Sequence, residues 1–143
     1  MTRARPFAIV QAVVLFFIAE ATLRAVGTKR AARWFGARFE SGDSVGTGNH
    51  GALLLTSRES NSLAGVELVA RRWPFGPPGG CLRESLAAAH VLRRHEPCIR
   101  VAVEPGQRGT LAAHAWLEVA GVAATDRGTF RSVLSSPARH VGP

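Results

Sequence analysis

The pattern of apolar and polar positions predicts a helical first half of the chain. Residues 6–40 read as helical, with breaks at Gly27 and Gly36. The segment 41–51 contains four glycines and shows no periodicity, so it is predicted to be a loop. Residues 52–73 favour a further helix, with apolar positions on one side at Leu63, Val66 and Ala70.

The second half of the chain predicts one helix followed by strands. Apolar residues recur at intervals of three and four after Cys81, which makes one stripe on a helix that Pro97 ends. Apolar and polar residues then alternate over residues 98–103 and 111–119, and a third strand follows over 122–126. Helices followed by an antiparallel meander predict an α+β fold.

The amino-terminal helix is unusually apolar. Arg3 and Arg5 precede an apolar run over residues 7–19, and Ala19-Glu20-Ala21 resembles the cleavage site of a secretory signal. The run is shorter than the roughly 20 apolar residues that a membrane span needs. Apolar positions continue beyond it with arginines between them, which favours helices that lie on the protein core or on a membrane face. A signal peptide and a membrane anchor are the alternatives.

Composition narrows the class of protein. The chain has 143 residues, a hydrophobic fraction of 46% and a net charge of +8 that arginines carry almost entirely. One domain with a sizeable core is therefore expected. The charge indicates an anionic partner, unless it reflects compositional bias alone. The arginines lack interleaved aromatic residues, which argues against nucleic-acid binding. Two cysteines are too few for a disulfide framework, and no Cys and His cluster has metal-site spacing, so we expect no metal and no cofactor.

Cys81 is the most informative candidate for chemistry. A free thiol has a pKa of about 8.5 and is mostly protonated at neutral pH. The start of a helix offers unpaired N–H groups and a positive dipole end, which favour a thiolate and can bind an oxyanion. Gly79 and Gly80 place no side chain before the sulfur. Taken alone, Cys81 reads equally well as a small buried residue of a core helix, and Cys98 is expected to be such a residue.

His114 and Asp126 are the candidates for a base and for the group that orients it. A three-residue hairpin loop over 119–121, with its glycine in the left-handed conformation, would place His114 opposite Asp126. A two-residue loop would instead place Asp126 beside Ala115, on the other face of the sheet. The sequence therefore predicts a Cys81–His114–Asp126 triad for nucleophilic catalysis. An ordinary strand histidine and a turn aspartate are the alternatives.

Other polar side chains near these residues are weaker candidates. Glu118 shares the His114 face and is expected to be solvated, with a supporting contact to the histidine as the alternative. Ser85 lies one turn after Cys81 and has no base in reach, and His90 lies too far along the helix to reach the sulfur.

Two strings of residues together resemble a known family. They are Cys-Leu-Arg-Glu-Ser-Leu-Ala over 81–87, followed by Leu-Arg-Arg at 92–94, and Ala-His-Ala-Trp-Leu-Glu-Val-Ala-Gly over 113–121, followed by Asp126. Over about residues 66–127 the chain resembles the transglutaminase-like cysteine proteases of lasso-peptide biosynthesis, the B proteins. The resemblance implies a papain/transglutaminase-like core in which a nucleophile helix packs on an antiparallel sheet. It also implies Cys81 as nucleophile, His114 as base and Asp126 as orienting acid.

The resemblance further implies an organisation and a pathway. Amphipathic helices would occupy residues 1–40, the glycine-rich loop 41–51 and the cysteine protease domain 52–143. The substrate would be a ribosomally made precursor peptide, whose leader is removed so that a separate lasso cyclase can close a macrolactam. The chain resembles the split form of the family, so a small separate leader-recognition protein is the expected partner.

The expected location is the cytoplasm, and the amino-terminal helix is a candidate for an additional peripheral contact with a membrane. Two alternatives to a peptidase remain at this point. The same triad could pass the acyl group to an amine, which would make the protein an acyl transferase. The chain could also be a catalytically inactive, membrane-associated scaffold.

Overall fold

The computed structural model describes residues 6–41, 53–75, 80–105 and 111–125. Its helices are α1 (Pro6–Val26), α2 (Thr28–Trp34), α3 (Ser57–Arg72) and α4 (Gly80–Val91), and a short 3₁₀ turn follows at Arg93–His95. Its strands are β1 (Arg38–Ser41), β2 (Cys98–Pro105), β3 (Leu111–Val119) and β4 (Val122–Ala123). Apart from Ser41, the predicted glycine-rich loop lies outside the described residues.

The strands form one mixed sheet in the order β1-β2-β3-β4. β2 and β3 are antiparallel over eight residue pairs, from Cys98 opposite Glu118 to Pro105 opposite Leu111. β1 runs parallel to β2, which requires the long connection that α3 and α4 provide. The predicted α+β class is confirmed, and the parallel strand β1 adds an element that the sequence analysis did not contain.

The prediction of a helix through residue 40 is wrong at its end. Gly36 has a φ of 80°, and the Ala37 N–H returns to the Ala32 carbonyl at 2.9 Å. A left-handed glycine of this kind ends a helix. The chain then extends, and the Arg38 N–H donates to the Pro97 carbonyl at 2.9 Å, which starts the pairing of β1 with β2.

The helix α3 begins later than predicted, at Ser57. Thr56 and Glu59 form a capping box, in which each side chain accepts the backbone N–H of the other residue. The backbone N–H of Thr56, followed by the side chains of His95 and Thr56, lowers the pKa of Glu59 to about 2. The Glu59 carboxylate lies 2.9 Å from His95 Nε2, so the start of α3 is tied to the turn that follows α4.

The core lies between the helices and one face of the sheet. Its fully buried large side chains are Phe16, Leu86, Leu92, Ile99 and Leu117. The helices α1 and α3 approach closely at Gly65, where an added Cβ would lie 2.6 Å from the Ala8 carbonyl oxygen. The amino-terminal helices are therefore part of the same core as α4, and α1 helps to fix α4 in place.

By length and composition, α1 is the one helix among the described residues that could cross a membrane. It has 21 residues and is therefore longer than the apolar run over residues 7–19, which by itself is too short for a span. A core helix and a signal sequence satisfy the same criterion. In this structure Glu20 of α1 accepts from Arg83 of α4 at 2.8 Å, and the Arg83 side chain is 6% exposed.

Candidate active site

Cys81 lies in the first turn of α4, as predicted. Its thiol is half-buried. The backbone N–H groups of Leu82 and Ala115 both point at the sulfur. An added Cβ at Gly80 would meet no atom of the described residues within 4 Å, apart from its own neighbours along α4. The sulfur is therefore held by the start of the helix and by β3, and it is not sealed in the core.

The structure brings His114 to Cys81. A hydrogen bond from the His114 side chain lowers the pKa of the Cys81 thiol, and this effect exceeds the opposing effect of burial. The N–H groups of Ala115 and Leu82 and the charge of His114 lower the same pKa further. A thiol with a lowered pKa carries more thiolate, which is the nucleophilic form. The fold therefore brings the His114 side chain to the Cys81 thiol, and the catalytic roles of the two residues stay predictions.

The contact occurs across the outer edge of β3. The side chains of Ala115 and Leu117 face the core beneath α4, and His114 lies on the opposite face of the strand. The backbone groups of Leu117 point away from β2, because its carbonyl accepts the Ala124 N–H at 2.7 Å. The Ala115 N–H, two residues earlier, points the same way and meets the Cys81 sulfur. The Cys81 sulfur therefore lies at the edge of β3, where it can contact the His114 imidazole although His114 is on the opposite face of the strand.

The predicted hairpin register is wrong. The structure pairs Glu118 with Ala123 and Val119 with Val122, so the loop has two residues, Ala120 and Gly121. Their φ angles are 50° and 78°, and a two-residue hairpin needs positive φ at both central positions when it forms a type I′ turn. The three-residue loop requires positive φ of the glycine alone, and alanine rarely adopts such an angle.

Asp126 lies outside the described residues, so its predicted role stays a prediction. The register argument for it no longer applies. Regular pairing of β4 ends at Ala123, and the Thr125 hydroxyl, instead of a backbone carbonyl, accepts the Leu117 N–H at 2.9 Å. Thr125 also lies 3.5 Å from the hydroxyl of Ser85, which is fully buried one turn after Cys81. The Thr125 hydroxyl, one residue before Asp126, therefore contacts both α4 and β3.

The Ser85 contact is a feature that the sequence analysis missed. Ser85 was considered there only as a nucleophile without a base. Its position four residues after Cys81 places it on the same side of α4, and a serine inside an alanine-rich apolar stretch was a signal of a buried hydrogen bond.

A hydrogen-bonded network lies beside His114 on the same face of the sheet. The rings of His114 and Trp116 are stacked, with centroids 6.0 Å apart and an interplanar angle of 19°. Trp116 Nε1 donates to Glu118 at 2.9 Å, and Arg100 Nε donates to the other Glu118 oxygen at 2.6 Å. Arg100 also pairs with Glu40 at 2.9 Å. The expectation that Glu118 is solvated is wrong, since its side chain is 8% exposed and ion-paired.

Glu84 is a second missed feature. It lies three residues after Cys81 on α4, where burial raises the pKa of its carboxyl to about 7 against the opposing charges of Arg71 and His114. A carboxyl one helical turn from a nucleophile is therefore partly neutral at neutral pH. The spacing i, i+3 from the cysteine was the signal that could have identified it.

The second cysteine has the opposite environment. Cys98 is buried at the start of β2, and burial, helped by the charge of Glu40, raises the pKa of its thiol. Within the described ranges, no group of three or more His, Cys, Asp or Glu side chains could hold a metal ion. Of the two thiols, Cys81 is the one whose pKa is lowered, and the imidazole of His114 is the main cause.

Comparison with known proteins agrees with this geometry. The searches of curated proteins and of solved structures gave no significant match. The family model described as Transglutaminase-like superfamily matches residues 22–135, which include α2 to α4, the whole sheet, Cys81 and His114. This family is typically composed of cysteine proteases and acyl transferases. The chain therefore belongs to the transglutaminase-like superfamily.

Proposed function

We propose that this chain is a cysteine peptidase that removes the leader from a lasso-peptide precursor. Removal would free the core amine that a separate cyclase uses to form the macrolactam. The observation that carries the peptidase chemistry is the hydrogen bond from His114 to the Cys81 sulfur at the start of α4. The substrate class rests on the resemblance of the strings over 81–87 and 113–121 to the lasso B proteins.

The proposed reaction begins when His114 accepts the proton of Cys81. The thiolate attacks the carbonyl carbon at the leader–core junction, and N–H groups at the start of α4 stabilise the oxyanion. His114 then donates its proton to the leaving amine of the core peptide. Water, deprotonated by His114, attacks the thioester, which releases the leader as a carboxylate and restores the thiol. Asp126 would hold the imidazole, a role that rests on the resemblance of the string over 113–121, with Asp126 after it, to the lasso B proteins.

The partners follow from the same proposal. A small leader-recognition protein would deliver the precursor, and a cyclase would consume the freed core. All three would act in the cytoplasm, where the precursor is translated. The net charge of +8 suits a peptide or protein with acidic residues.

The decisive experiment compares two cysteine variants. Precursor, leader-recognition protein and enzyme are mixed, and free leader is measured by mass spectrometry. We expect Cys81→Ala to abolish cleavage and Cys98→Ala to retain most of it, because His114 lowers the pKa of the Cys81 thiol whereas burial raises the pKa of the Cys98 thiol. Circular dichroism confirms that both variants fold. Cleavage by Cys81→Ala at the wild-type rate would refute the assignment.

An acyl transferase is the second candidate, because the family includes such enzymes and the same thioester would form. The two reactions differ in product mass when an excess of a primary amine is present. Hydrolysis gives a leader that ends in a carboxylate. Transfer gives a leader whose mass is increased by the amine minus water, and accumulation of that product alone would replace the peptidase proposal.

A further inference from the structure

The largest group of exposed large apolar side chains in the described part of the chain lies on α1. Phe7, Val10, Val14, Phe17 and Ile18 are each between 48% and 71% exposed. Their spacing of three and four residues places them on one side of the helix, which we call the outer face. Large contiguous apolar surfaces of this kind mark interaction sites on soluble proteins.

The outer face is not explained by the packing of the domain. The opposite side of α1 already carries the buried residues, which are Ala8, Ala12, Leu15, Phe16, Ala19 and Thr22. The backbone contact at Gly65 and the partly buried Glu20–Arg83 ion pair fix this orientation. Rotation of α1 to bury the outer face would expose the apolar core side and separate Glu20 from Arg83.

Basic and aromatic residues border the outer face. Arg24 lies one and a half turns beyond Ile18 on α1, and its side chain is 77% exposed. Exposed Arg72 directly precedes Trp73, whose ring packs 5.0 Å from that of Phe17. The carboxylate of α1, Glu20, is neutralised by the two arginines with which it pairs. The border of the apolar surface is therefore cationic.

We propose that the outer face of α1 docks on an anionic lipid surface, with the helix lying along the membrane plane. Apolar side chains would enter the boundary between headgroups and acyl chains, and the bordering arginines would contact anionic headgroups. A protein interface makes about one hydrogen bond per 100–200 Å², whereas the exposed side chains from Phe7 to Ile18 are all apolar. This proposal does not depend on the peptidase function.

Surface docking accounts for the structure better than a membrane span does. A spanning α1 would leave the core, lose the contact of Ala8 with Gly65 and leave the buried Arg83 guanidinium without Glu20. Loss of one partner of a buried ion pair is strongly unfavourable. Docking through the outer face keeps both contacts.

The test uses the full-length chain in vesicle flotation. Vesicles contain either phosphatidylcholine alone or phosphatidylcholine with phosphatidylglycerol. We expect flotation with the anionic vesicles, weaker flotation with the neutral ones and a decrease at high salt. Val14→Glu should weaken binding about tenfold or more, since it places a charge in the apolar contact. Val10→Glu provides a second variant at a 61% exposed position.

The matched control is Leu54→Glu, which makes the same change of charge at a 91% exposed apolar residue outside α1. It should bind as the wild type does. Failure of the wild type to float with anionic vesicles would overturn the proposal, as would equal losses in the α1 variants and the control. Retention on vesicles after alkaline carbonate washing would indicate a span instead. Self-association that Val14→Glu abolishes, without vesicle binding, would assign the outer face to a second copy of the chain.

Discussion

Replacing Glu118 with alanine removes a carboxylate that holds two partners beside His114. Arg100 Nε lies 2.6 Å from one of its oxygens, and Trp116 Nε1 donates to the other at 2.9 Å. Removal of one partner from a buried ion pair costs about 3–5 kcal/mol. Arg100 keeps Glu40 at 2.9 Å, so we expect a loss near the lower limit, about 3 kcal/mol.

Glu118→Gln is the matched variant. It keeps one amide oxygen, which can still accept from Trp116, but it removes the charge and turns an NH₂ group toward Arg100, so we expect a loss of about 1–3 kcal/mol, smaller than that of alanine. Urea unfolding measures both variants, and the midpoint should fall in the order wild type, Gln, Ala with an unchanged slope. In a chain of 143 residues, a loss of about 3 kcal/mol corresponds to a Tm lower by about 10 °C.

The same substitution should also affect the imidazole. Trp116 stacks on His114, and without its bond to Glu118 the indole can rotate and leave the histidine ring less constrained. We therefore expect Glu118→Ala to lower kcat more than it raises KM, and Glu118→Gln to restore most of the rate. An alanine variant within about 1 kcal/mol of wild type, or a glutamine variant as impaired as alanine, would contradict this account of the network.

Three further predictions concern the site. In a variant without the second cysteine, the rate at which iodoacetamide alkylates Cys81 should have a pH midpoint below the ordinary thiol pKa of about 8.5. His114→Ala should raise that midpoint, because the imidazole is the main cause of the lowered thiol pKa. A midpoint that His114→Ala leaves unchanged would contradict this. Burial raises the pKa of Glu84 from 4.5 to about 7, so the folded state favours the protonated carboxyl. The resulting stabilisation is fully present below pH 4.5 and is lost as the pH rises through 7. The unfolding free energy of Glu84→Gln relative to wild type should therefore increase between pH 5 and 8, and parallel curves would exclude this titration. Thr125→Val should lower the unfolding free energy by about 1–3 kcal/mol, since it leaves the Leu117 N–H without its acceptor. If urea unfolding gave this variant the stability of the wild type, the hydrogen bond would not contribute to stability.

Much of the fold could be predicted because its signals are local. The apolar stripe after Cys81 predicted α4, and the alternation of side chains predicted β2 and β3. Ile99 and Leu117, which are apolar positions of the two alternating segments, are fully buried. Periodicity works here because each of these elements buries one continuous face in the shared core.

The strand β1 could not be predicted because it carries no such signal. It has four residues, and three of them are exposed. Its backbone pairs with the start of β2, and the sequence gives no local indication of a partner that lies about 60 residues later in the chain. The hairpin register failed for a related reason. Tertiary structure holds Ala120 at a φ of 50°, which the preferences of alanine alone argue against.

The geometry of the nucleophile depends on where β4 stops. In the observed register, continued pairing would place residue 126 opposite Ala115 and direct a backbone carbonyl at the Ala115 N–H. That N–H donates to the Cys81 sulfur instead. The Thr125 hydroxyl ends the regular pairing by taking the Leu117 N–H. The edge of β3 is thus left open for the helix that carries the thiol, which explains how a cysteine above one face of the sheet meets a histidine on the other.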